Sequence, residues 1–276
     1  MKKPSPYRLF SIRNNIITVS RIAQSVKIFS MGKAACDIRI GTSGWHYGHW
    51  SGPFYPSKLP KNQWFEFYAQ HFDTVELNNT FYHQPKLQTF KNWQKQAPKD
   101  FLFTVKANRF ITHIKRLKDV QEPLQRFFTG ALLLKKNLGP ILYQLPPSMH
   151  KDLERLEDFI QLLPKKHAVI FEFRHNSWFS DDTYKLLNKY GAIFCTHDLI
   201  GVPTPRVITG RIIYIRFHGP TGRYQGNYTK AMLKNWANWI KEHINNVHSV
   251  YAYFNNDVSG HAINNAKTLK EILGIS

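Results

Sequence analysis

Cysteine is almost absent. The chain has two, Cys36 and Cys195, far apart and with no CxxC, so neither a disulfide framework nor a thiolate zinc site is encoded. A reducing, cytoplasmic location is the expectation. Cys195 stands in the apolar run IFCT, the setting of a buried inert thiol rather than a nucleophile. No apolar run reaches the roughly 18 residues needed to span a bilayer. Acidic residues are scarce: 18 Asp and Glu face 38 Lys and Arg, a formal net charge of +20. That balance suits anionic partners, nucleic acid among them. GxGxxG and GxxxxGK[ST] follow none of the strand-like runs, and HxH and HExxH do not occur, which removes the common phosphate-loop and zinc-hydrolase signatures. RRM, KH and helix-turn-helix patterns are missing too.

The basic excess is uneven. Lys2, Lys3, Arg8, Arg13, Arg21, Lys27 and Lys33 precede Asp37 with no acid among them. This composition fits a targeting segment, an upstream translation extension ending near Met31, or a helical addition. Residues 1–36 are expected to be a basic extension, and residues 37–276 one domain.

From residue 37 a single theme repeats: a short apolar strand, a polar loop, a helical stretch. The predicted strands are Ile38–Gly41, Thr74–Leu77, Phe101–Lys106, Ile141–Leu145, Ala168–Phe173, Ile193–Thr196, Ile212–His218 and Ser249–Phe254. Helices are predicted over Asn62–His71, Leu87–Gln96, Leu124–Leu138, Lys151–Leu163, Asp181–Tyr190 and Thr229–Asn245. Between the sixth and seventh strands only a Pro-bearing loop stands, GVPTPRVIT, so one crossover helix is missing or short. Alternating strands and helices imply a parallel sheet. Eight strands with no dinucleotide fingerprint favour an α/β (β/α)₈ barrel, of the TIM type, over a doubly wound open sheet.

Barrel strands turn an apolar face to the helices and the other face inward, with chemistry at their C-terminal ends. The stretch IIYIRFHG then reads as Ile213, Ile215 and Phe217 outward, and Tyr214, Arg216 and His218 inward. The same parity puts Glu76, Asn78, Lys106, Gln144, Glu172, Arg174, Tyr253 and Asn255 on the inner side. Arg109 lies just past the third strand. Singly buried charges are costly, so these must pair with one another or meet a ligand.

Seven ordered segments carry a family likeness: IRIGTSGWHYGHWSGPFYP, VELNNTFYHQP, FTVKANRFITH, LYQLPPSM, FEFRHNSW, YIRFHG and YAYFNNDVSGHAINNA. Together they resemble the YecE-like family, domain-of-unknown-function family 72, from about residue 37 to the C-terminus. The resemblance implies a TIM-barrel-like fold and assigns no reaction, cofactor or catalytic role.

Three functional classes follow from the residues. In the first, Lys106, Arg109, Arg174 and Arg216 clamp the phosphate or carboxylate of a small molecule. Glu76 or Glu172 then serves as general acid or base with His218 as partner, Asn78, Gln144 and Asn255 add polar contacts, and Trp45, Trp178 and Tyr253 stack on the ligand. In the second, a metal-dependent hydrolase, isomerase or nuclease, ligands come from Glu76, His113, Glu172, Asp198, His218 and Asp257, without a metal-binding spacing. The third is nucleic-acid binding, supported by net charge and by aromatic–basic stretches such as GRYQGNYTK.

Overall fold

The computed structural model describes residues 35–275. Of the basic extension expected over 1–36, all but Ala35 and Cys36 lie outside the described residues. Eight strands form one sheet: β1 (Asp37–Thr42), β2 (Thr74–Leu77), β3 (Leu102–Lys106), β4 (Leu138–Gln144), β5 (Val169–Glu172), β6 (Ile193–His197), β7 (Ile212–Phe217) and β8 (Ser249–Phe254). The helices are α1 (Trp64–Ala69), α2 (Asn79–Tyr82), α3 (Leu87–Gln96), α4 (Gln121–Ala131), α5 (Leu153–Gln161), α6 (Asp181–Tyr190), α7 (Lys230–His243) and α8 (His261–Leu273). The order β1-β8-β7-β6-β5-β4-β3-β2, parallel at every pairing, makes a nearly closed α/β barrel.

The predicted strands are present, with shifted ends. β4 begins at Leu138 rather than Ile141 and takes in Pro140, next to a register shift against β3 between Phe103 and Val105. An irregular pairing is where a strand tolerates a residue without N–H. Two helices went unanticipated: the single turn α2 and the closing α8. Among the described residues none separates β6 from β7. Pro203 and Pro205 interrupt helical bonding there, and two threonines do its anchoring. Thr204 Oγ1 accepts from His197 N (2.7 Å), and Thr209 Oγ1 accepts from Phe194 N (2.8 Å).

The alternation of β7 divides as its residue types require. Ile213, Ile215 and Phe217 join the core between sheet and helices, where Phe217 meets Trp236 edge-on. Tyr214 joins Leu142, Ile170, Cys195, Tyr251 and Tyr253 in a separate cluster inside the barrel.

No ladder joins β1 to β2, and a tyrosine hydroxyl takes its place. Tyr68 of α1 accepts from Thr42 N (3.1 Å) and donates to Thr74 O (3.1 Å). The strands approach so closely that a Cβ on Gly41 would lie 2.4 Å from Thr74 O. Only glycine fits such an approach. Tyr253 closes the interior below by sharing its hydroxyl with Thr74 Oγ1 (2.7 Å) and Thr104 Oγ1 (2.8 Å).

Candidate functional site

Above that tyrosine layer the inner face turns charged. Glu76 on β2 and Glu172 on β5 are fully buried, with Arg216 of β7 between them. Arg216 Nε lies 3.0 Å from Glu76 Oε2, its Nη2 2.6 Å from Glu76 Oε1, and its Nη1 2.6 Å from Glu172 Oε2. A forked guanidinium is suited to bridging two carboxylates in this way. Glu76 also accepts from Tyr214 Oη (2.7 Å) and Ser43 Oγ (2.7 Å). Glu172 takes Arg174 Nη2 at 2.5 Å and His218 Nε2 at 3.0 Å. Burial alone would raise the Glu172 carboxyl, but Arg174, Arg216 and the His218 bond outweigh it and hold it well below the usual carboxylate range. Glu172 is therefore a counter-charge to Arg174 and Arg216, and Glu76 pairs with Arg216.

Two glutamates balance two arginines, which leaves Lys106 as the surplus charge. Its ammonium donates to Gln144 Oε1 (2.7 Å) and sits 4.2 Å from the centre of the Phe81 ring. The residue is 7% exposed. Burial, then Arg216, lower its pKa to about 7. Arg174 is 4% exposed, and its Nε is buried with no partner among the described residues. Surrounding histidines are kept neutral. Burial, then Lys106 and Arg109, lower His113 to about 4. His218 is held well below its ordinary value by burial and then Arg174. Asn255 Nδ2 stands 3.4 Å from His218 Nδ1. His218 Nε2 stands 3.0 Å from both Glu172 Oε1 and Arg174 Nη2. The mouth is thus an enclosed electropositive place, with donors on Lys106 and Arg174 that no carboxylate occupies.

Comparison with known proteins agrees with this architecture. The family model described as "Protein of unknown function DUF72" matches residues 39–276. The chain belongs to the DUF72 family. UPF0759 protein YunF of Bacillus subtilis (strain 168) is 30% identical over 274 residues, covering 86% of this chain and 95% of that protein. UPF0759 protein YecE of Escherichia coli (strain K12) is 32% identical over 116 residues, 42% of this chain and 43% of that one. A DUF72 family protein from Thermotoga maritima MSB8 superposes with a TM-score of 0.79 at 31% identity, covering 86% of this chain and 99% of the other. One from Enterococcus faecalis V583 gives 0.77 at 19% identity, covering 87% and 96%.

In this DUF72 barrel the residues singled out from sequence separate into groups. Glu76, Lys106, Gln144, Glu172, Arg174, Arg216, His218 and Asn255 come together. Arg216, expected in the anion clamp, has its bonds on Glu76 and Glu172 instead. Arg109 is exposed just beyond β3. Trp45 and Asn78 face a cleft of about 510 Å³ beside the mouth. Trp178, expected to stack on a ligand, is core: its ring stacks on Phe173 at 4.6 Å and Nε1 donates to Met149 O (2.8 Å). Tyr253, given the same role, is buried in the threonine layer below the charges.

The carboxylates offered for a metal are engaged elsewhere. Asp198 accepts His218 N (2.8 Å) and the Tyr228 hydroxyl, and Asp257 accepts Trp50 Nε1 (2.8 Å). Among the described residues no three His, Cys, Asp or Glu side chains converge as a metal site, and no helix is long and apolar enough to cross a membrane. Sequence reasoning passed over two members of the DUF72 network. Ser43 extends the inner parity of Arg39 and Gly41 past the end of β1, a signal the glycine-rich turn obscured. Tyr214 was read as inward-facing without a carboxylate to hold.

Proposed function

We propose that the barrel mouth binds a small molecule through its phosphate, sulfate or carboxylate, with Lys106 and Arg174 as the anion contacts. One observation carries this reading: at the C-terminal ends of the strands Lys106 is a nearly buried cation that Glu76 and Glu172 leave unbalanced, and beside it Arg174 keeps a buried Nε with no partner among the described residues. A desolvated ammonium left short of counter-charge is costly to the fold, and an anion relieves that cost. Arg216 is structural in this reading, the cation bonded to both Glu76 and Glu172. Should the ligand be transformed, Lys106 is the group with a proton to exchange near neutral pH, since its pKa is lowered to about 7.

The test is calorimetric titration with sulfate, whose charge is constant over the range used. The anion binds the ammonium form of Lys106. Affinity is therefore full below pH 7 and falls by about tenfold per unit above it. An affinity unchanged between pH 6 and 9, or no binding at pH 6, contradicts the assignment.

Nucleic-acid binding retains one specific observation. A groove of about 910 Å³ at the N-terminal ends of β5 to β8 is lined by Lys165, Lys166, His167, Lys189, Arg211 and His248, with no acidic residue. Oligonucleotide binding that is strongly salt-dependent and unaffected by Lys106→Met would belong to that groove and not to the mouth.

A further inference from the structure

Asn78 stands where β2 ends and α2 begins, a position at which asparagine ordinarily caps the helix by accepting a backbone N–H. Here its side chain makes no capping bond. Its Oδ1 is buried without a partner among the described residues. A buried acceptor left unpaired is costly, and Asn78 is one of the residues lining the cleft of about 510 Å³. The cleft walls are mainly aromatic: Trp45, Tyr47, Tyr82 and Trp93. Tyr82 is 68% exposed, although it is large and apolar. Gly44 (φ +98°) also lines it, where a Cβ would come within 2.9 Å of the Tyr47 hydroxyl.

The cleft adjoins the charged mouth on two sides. Tyr47 donates to Ser43 O (2.5 Å), and Ser43 Oγ donates to Glu76. On the other side β2 and β3 pair as Leu77 with Val105, the residues that precede Asn78 and Lys106. Strand neighbours are about 4.8 Å apart.

We propose that this cleft holds the planar heterocycle of a nucleotide, with Asn78 on the ring edge and the phosphate at Lys106 and Arg174. Asparagine presents an acceptor and a donor side by side, which matches paired polar atoms on a base edge, and aromatic walls suit any base's π-face. The inference rests on the anion reading for its phosphate end only.

The test uses the full chain and calorimetry with the four ribonucleoside 5′-monophosphates, the four nucleosides, ribose 5-phosphate and inorganic phosphate. At least one nucleotide should bind ten times more tightly than ribose 5-phosphate. Asn78→Leu should bring that nucleotide within about twofold of ribose 5-phosphate while phosphate affinity stays constant. Tyr82→Ala, on the exposed wall, should lower nucleotide affinity in the same selective way and stands in if Asn78→Leu fails to fold. Nucleotides no tighter than ribose 5-phosphate, or an advantage that survives both substitutions, overturn the proposal. If no anion binds at all, the mouth reading fails alone. The cleft is then judged by the nucleosides: binding lost with Asn78→Leu supports it, and no nucleoside binding overturns it.

Discussion

Arg216→Met is expected to destabilise the barrel by about 3–5 kcal/mol, the scale for removing one partner of a buried ion pair. Glu76 would keep only the Tyr214 and Ser43 hydroxyls, with no cation bonded to it. Glu172 would keep Arg174 and His218. Glu76 therefore bears most of the loss. Adding Glu76→Gln should recover part of it, because a neutral amide no longer needs a counter-charge, so the two effects are non-additive. Urea unfolding of the two variants at pH 7 checks both statements. A loss below about 1 kcal/mol for Arg216→Met would mean the carboxylates do not depend on it.

Lys106→Met should act in the opposite direction on stability and abolish most anion binding. The folded state holds the Lys106 pKa at about 7, below its ordinary 10.5. The sign follows from that depression. Above pH 10.5 the amine is neutral folded or unfolded and there is no penalty. As pH falls toward 7 the unfolded chain takes up the proton more readily, and the wild type loses stability. Below 7 the penalty is constant. Replacing the ammonium with an apolar side chain of similar length removes it, with an expected gain of about 1–4 kcal/mol at pH 6. The gain should fade toward pH 10. Sulfate affinity at pH 6 should drop by about tenfold to a hundredfold, the loss of one charged hydrogen bond of about 1.5–3 kcal/mol. Thermal melting at pH 6 and pH 10, paired with sulfate calorimetry, reads both effects. A variant that melts lower than wild type at pH 6 and binds sulfate normally would show Lys106 to be part of the structural network.

The period-two alternation carried most of what sequence could convey. It placed Tyr214, Arg216 and Glu172 inside the barrel and Ile215 and Phe217 outside, because a strand with both faces buried must still divide polar from apolar residues. Parity conveys direction without reach. Arg174 and Arg216 have the same inward parity, yet one guanidinium spans two carboxylates while the other keeps a free Nε. Only the distances across the barrel distinguish them. Parity also stops where the strand stops. Trp178 follows β5 in a short 3₁₀ turn, Asn176–Trp178, which swings its ring back onto Phe173. Asn78 illustrates the converse. Its residue type suggested polar contact, but the unfulfilled capping position is visible only once α2, a turn of four residues with no readable periodicity, is in place.

In the proposed function Arg216 serves the glutamates while Lys106 and Arg174 serve a ligand. Crystals soaked in selenate and measured at the selenium edge separate these roles. An anomalous peak is expected at the barrel mouth, with selenate oxygens within about 3 Å of Lys106 Nζ and Arg174 Nε, and Arg216 still bridging Glu76 and Glu172. A mouth without selenium while other surface sites are occupied, or a selenate bonded to Arg216 in place of a glutamate, would contradict it.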